Sequence, residues 1–129
     1  MIGLDTNLLL RAVLDDDPAQ SPVARQVISS LTKENPGFVS LVVILEFAWT
    51  FRARLRQPQE AIRKAIYRLW SNPAVVISNR ALVTAALLNT KIDFADALLA
   101  AENRNAGCTA TLTFDRRALA DPHFQAAGA

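Results

Sequence analysis

Four short apolar runs alternate with stretches of helical periodicity, and this alternation constrains the fold more than any other feature of the chain. The runs are IGL at 2–4, FVS at 38–40, AVVI at 74–77 and TATLT at 109–113. Short apolar strands separated by helical segments predict a parallel sheet covered by helices on both faces. In such sheets, ligands and chemistry collect beyond the carboxyl ends of the strands.

The helical segments carry their own start and stop signals. TNLLLRAVL follows Asp5 directly. Asp17 is placed to cap a second helix, with Pro18 in its first turn, running to about Lys33. Asn35, Pro36 and Gly37 break it. A helix of roughly a dozen residues is expected from Leu41 or Val42, within which Glu46 falls about one and a half turns in. Another opens at Pro58, where Ile62, Ala65, Ile66, Leu69 and Trp70 form one apolar stripe that reads as core or subunit contact. Helices at 79–88 and 93–105 follow, and Gly107 supplies the left-handed residue that often ends a helix. A turn at Phe114–Asp115, a short helix near Arg116–Leu119 and an edge strand near Phe124 complete the expectation.

The chain has 129 residues, with 51% hydrophobic and 20% charged side chains, which suits one globular domain spanning 1–129. The start, MIGLD, lacks the basic and apolar regions of a secretory leader. The longest apolar stretch, LVVILEFAWTF, is about half the ~20 residues of a membrane span and contains Glu46. No membrane association is expected. A single cysteine, Cys108, excludes an internal disulfide and fits a reducing cytoplasm, with the thiol expected as a small buried hydrophobe.

Net charge is +2, too small to argue for nucleic acid by itself. Its distribution is more telling. Arg52, Arg54, Arg56, Arg63, Lys64 and Arg68 fall in one stretch whose only acid is Glu60. Sequestering four acids on a metal would leave 14 basic side chains against 8 acidic ones. A basic surface around an acidic pit suits a polyanion, and a solvated helical face explains the same charges equally well.

The acids follow the strands. Asp5 ends the first, Asp93 and Asp96 open the helix before the fourth, and Asp115 lies two residues beyond it. Each has a bland alternative. Asp5 and Asp93 are placed as helix N-caps, Asp96 completes a capping-box spacing with Asp93, and Asp115 suits a turn. Glu46 is harder to dismiss, because Leu45, Phe47, Ala48 and Trp49 surround it and a buried carboxylate needs a cation or donors. Converging carboxylates repel one another, and a hard divalent cation removes that penalty. No other apparatus is visible: His123 is the only histidine, and there is no nucleophile elbow, glycine-rich phosphate loop or zinc spacing. Metal-assisted phosphodiester hydrolysis remains.

These residues resemble the PIN-domain family, most closely its VapC-like toxin ribonucleases. Asp5 matches the acid of the "LDTN" strand end, and Glu46 the acid of the segment running from Ser40 to Glu46. Asp96 matches the pattern Asp96-Ala97-Leu98-Leu99-Ala100, and Asp115 the element Thr113-Phe114-Asp115. Asp93 is a possible additional acid. The resemblance implies a three-layer α/β/α sandwich with a central, mostly parallel five-stranded sheet. It also implies cleavage of RNA with Mg2+ or Mn2+, frequent homodimers, and a small antitoxin through which alone the pair would meet DNA. Asp5, Asp96, Glu46 and Asp115 would hold the metal. Thr6, Asn7 and Thr113 would orient those carboxylates, and Arg11 or Arg116 would contact phosphate.

Other readings make different demands. A housekeeping RNA-processing nuclease and a non-catalytic interaction module on the same scaffold both fit the pattern, although the four acids argue against the second. A phosphoacceptor receiver needs a lysine near its last core strand, and Lys33, Lys64 and Lys91 all lie elsewhere. A haloacid-dehalogenase-type phosphatase wants an acid where Asn7 stands.

Overall fold

A computed structural model describes residues 1–128, which form two compact units, residues 1–80 and the remainder from Ala81. The described residues are α/β throughout, with six α-helices and five strands among them.

The first unit holds a parallel sheet of β1 (Ile2–Gly3), β2 (Gly37–Val39) and β3 (Val75–Ile77), in that order. Ile2 pairs with Gly37, and Val39 pairs with Ile77. Gly37 lets two leucine side chains close over this centre, and a larger residue would make them shift. A Cβ there would lie 2.8 Å from the side chains of both Leu31 and Leu4.

Helix α1 (Thr6–Leu14) begins where Asp5 turns out of the strand, and it stops at Asp15, whose φ of 52° is left-handed. Before α2 (Gln20–Ser30), Asp17 accepts from the amides of Ala19 and Gln20, as expected of a cap. The helix starts later and ends earlier than its pattern predicts, because Leu31 is already extended.

Ser40 caps α3 (Leu41–Trp49) by accepting from the Val43 amide. The expected single long helix then widens into a π-helical turn, Thr50–Arg54, where the Leu55 amide donates to the Thr50 carbonyl. Helix α4 (Gln59–Ser71) follows Pro58 and buries Ile62, Ala65, Ile66 and Leu69 of the expected stripe, while Trp70, its fifth member, is only half-buried. Phe47 and Ile44, fully buried, join them in the core of this unit, with Val39 and Val75 from the sheet.

The second unit contains α5 (Arg80–Leu88, entering from the first), α6 (Phe94–Asn105), β4 (Thr111–Thr113) and β5 (Phe124–Ala126), with a 3-10 turn at Ala118–Ala120. β4 and β5 pair in parallel, Thr111 with Phe124. The described residues therefore hold two hydrogen-bonded ladders, one of three strands and one of two, and the pairing within each is parallel as expected. Phe94, Val83, Ala97, Leu98 and Phe124 are buried.

Gly107, at φ 98°, closes α6: its amide donates to Arg104 and that of Cys108 to Asn103. This paired C-terminal closure carries Cys108 out to solvent, which corrects the expected buried thiol. His123 is equally unlike a tail residue. It is buried, and its Nε2 lies 2.7 Å from the Thr111 hydroxyl. No helix among the described residues is long and apolar enough to cross a membrane.

Candidate active site

In the first unit, the parallel strands bring the starts of α1 and α3 to the carboxyl edge of one sheet. Asp5 occupies the N-cap position of α1 with extended backbone, φ −86° and ψ 157°. Its carbonyl accepts from Leu9, but its carboxylate makes no cap hydrogen bond. The bland reading of Asp5 is therefore right about position and wrong about the side chain. The carboxylate is exposed.

Thr6, the next residue, is buried, and its hydroxyl donates to Oε1 of Glu46 in α3. α1 packs directly on α3, which makes this bond possible. Glu46 itself is exposed, which answers how α3 carries an acid among apolar neighbours. The helix buries Ile44, Phe47 and Ala48 and turns Glu46 outward. One oxygen accepts from Thr6 and the carboxylate stays exposed. Asn7 is exposed and lines a groove with Leu8, Arg11, Gln20 and Val23 between α1 and α2. Arg11, expected near phosphate, has its guanidinium 3.0 Å from both oxygens of Asp16 and 3.1 Å from Gln20.

In the second unit, Asp93 caps α6, accepting at 2.8 Å from the amide of Asp96. Asp96 stands in the first turn, half-buried. Asp93 thus accepts the backbone amide that a cap accepts, as expected of it, and Asp96 is the third residue of the helix.

Asp115 follows β4 and is exposed. Its amide donates to the Thr113 hydroxyl, and its Oδ1 accepts from the amide of Arg117. Thr113 thus fixes the backbone of Asp115 rather than its carboxylate. Arg116 is exposed within the same turn.

Taken by itself, neither unit gathers three or more aspartate, glutamate, histidine or cysteine side chains in a metal-holding group among the described residues. The donors offered are carboxylates and hydroxyls. All-oxygen sets of this kind suit magnesium or manganese and not a soft metal.

The second unit also contains a polar network that the sequence did not signal. The carboxylate of buried Asp121 accepts from Asn89 at 2.7 Å, from Arg104 at 3.2 Å and from the His123 amide at 2.8 Å. Burial pushes the Asp121 carboxyl up, but the His123 amide, Asn89 and the Arg104 and Lys91 cations together hold it below its usual value. At Asp17, the Gln20 and Ala19 amides likewise lower the carboxyl. Both shifts arise in structural caps and turns.

An α/β chain whose parallel strands run out into acid-bearing turns and helix starts belongs to a class that performs chemistry at the strand ends. The PIN domain family model matches residues 2–123, so the chain belongs to the PIN-domain family. This is a nuclease-type fold whose members typically use divalent metals. No curated protein matches the chain significantly.

Proposed function

We propose that the chain is a Mg2+-dependent endoribonuclease and the toxin of a VapBC-like toxin–antitoxin pair, with Asp5, Glu46, Asp96 and Asp115 as its metal-holding acids. The observation that carries this reading is the pairing at the start of α1. Asp5 stands at a cap position without capping, and the buried Thr6 hydroxyl beside it is committed to Glu46. A residue present only to start a helix would use its carboxylate on the first-turn amides, as Asp17 and Asp93 do.

A divalent cation supplies a Lewis acid for the phosphodiester and lowers the pKa of the attacking water. The chain supplies anionic ligands, and Thr6 holds Glu46 in one orientation. With His123 buried against Thr111, no histidine acid–base pair serves a 2′-hydroxyl attack. The products should therefore carry a 5′-phosphate and a 3′-hydroxyl. Arg116, directly after Asp115, and Arg11, on leaving Asp16, are the cations offered for gripping phosphate. The working form is a cytoplasmic homodimer bound by a small antitoxin, and the pair meets DNA only through that partner.

The test is cleavage of RNA by the purified chain with magnesium, with manganese, and with a chelator. Cleavage should require metal and vanish in Asp5→Asn. Cleavage that survives both chelation and this substitution refutes the reading. Calorimetry that detects no metal binding would favour the non-catalytic scaffold, and a short neighbouring gene for a DNA-binding protein would support the toxin role.

A further inference from the structure

We infer that the outer face of α4 is a base-stacking subsite for single-stranded RNA, formed by Tyr67 and Trp70 and flanked by Lys64 and Arg68. The choice of RNA rests on the nuclease reading above; the stacking geometry does not.

The inner side of α4 is committed to the core. Its outer side presents Lys64, Tyr67 and Arg68, three exposed residues at the i, i+3, i+4 spacing of one helical face. Tyr67 is 54% exposed, which is unusual for a ring that has not found a core. It nevertheless has a ring partner. The Tyr67 and Trp70 rings stack at 5.6 Å between centroids with 22° between planes. The Arg80 guanidinium lies 4.3 Å from the Trp70 ring centroid. Trp70 thus meets both a cation and the phenol ring, and the phenol that it stacks on stays exposed. Further planar groups extend such a stack with little ordering cost, because the platform is already assembled.

The surrounding charge selects the planar group. Arg63, Lys64 and Arg68 flank Tyr67, and Glu60 is the only acid in the helix. Cations beside an exposed ring suit a base with phosphates on either side of it. Duplex bases are stacked internally and do not offer their faces, so the matching ligand is single-stranded. A protein partner fits less well, since lysine is depleted from the centre of protein interfaces.

Binding of a fluorescently labelled oligouridylate, read by anisotropy with chelator present so that nothing is cut, tests the subsite. Tyr67→Phe should bind as the parent chain does. Tyr67→Leu, which keeps apolar bulk without an aromatic face, should weaken binding roughly ten-fold, the scale of one lost base–ring contact. Replacing Lys64 and Arg68 by Gln should flatten the salt dependence. Unchanged binding by Tyr67→Leu overturns the inference, as does equal loss in Tyr67→Phe, which would implicate the hydroxyl. A change in sedimentation with RNA binding unaltered would make the face a subunit contact and overturn it too. Cleavage assayed separately keeps the two readings apart. A cutting enzyme indifferent to Tyr67 refutes only the subsite, and a binding chain that never cuts refutes only the nuclease.

Discussion

Replacing Thr6 by valine keeps the shape of a buried side chain and removes one hydroxyl, so no cavity confuses the outcome. Thr6 is 4% exposed, and its lost bond runs to a carboxylate. Hydrogen bonds to charged groups contribute about 1.5–3 kcal/mol. Glu46 is exposed and regains water when released, so the net cost should fall to about 1 kcal/mol. For a chain of this size that is a melting shift of roughly 4 °C. The functional cost should be larger, on the order of ten-fold or more in cleavage rate, because a ligand that loses its orienting partner samples unproductive rotamers. Thr6→Ser restores the hydroxyl and should recover most of the rate while leaving the smaller core defect. Thermal melts and initial cleavage rates on the three proteins separate the two effects. A Thr6→Val protein that cuts RNA at the parent rate would refute the positioning role, whatever its stability.

Asp5→Asn should leave stability within about 0.5 kcal/mol of the parent, since no cap hydrogen bond is lost, while abolishing cleavage; urea unfolding beside the RNA assay checks both. Asp93→Ala should cost about 1 kcal/mol through the lost cap on the Asp96 amide, measured by urea unfolding. Asp121 gives an acid-limb prediction. Its carboxyl is held below the ordinary value of 3.8, so its contribution is complete above that pH and is lost as pH falls through the lower, folded value. The stability gap between the parent and Asp121→Asn should therefore narrow below about pH 4, and a gap that widens there would contradict the network described.

The elements legible in the sequence were those set by local chemistry. The Leu41 and Asp93 starts, the Gly107 stop and four of the five α4 stripe residues each rest on signals a few positions apart, and these stand where patterning places them. What periodicity could not convey were bonds between distant residues. Asp5 and Glu46 were candidates on spacing, but only the packing of α1 on α3 shows Thr6 committed to Glu46. Arg11 is paired with Asp16 because α1 ends at Asp15 in a left-handed turn, which no apolar period encodes. His123 looked peripheral by position, yet the parallel pairing of β5 with β4 buries it. Tyr67 lay outside the apolar stripe, so the stack it forms with Trp70 left only the weak signal of two aromatics three residues apart.

The wide turn at Thr50–Arg54 gives this stretch a sensitivity to length. A helix advances about 100° per residue, so one residue more in a single turn reorients everything downstream by about that angle. Removing one residue here would restore ordinary helical winding while swinging Arg54 around the helix axis. Here spacing governs where the positive charges point, and a shortened relative could keep every arginine and still aim them elsewhere.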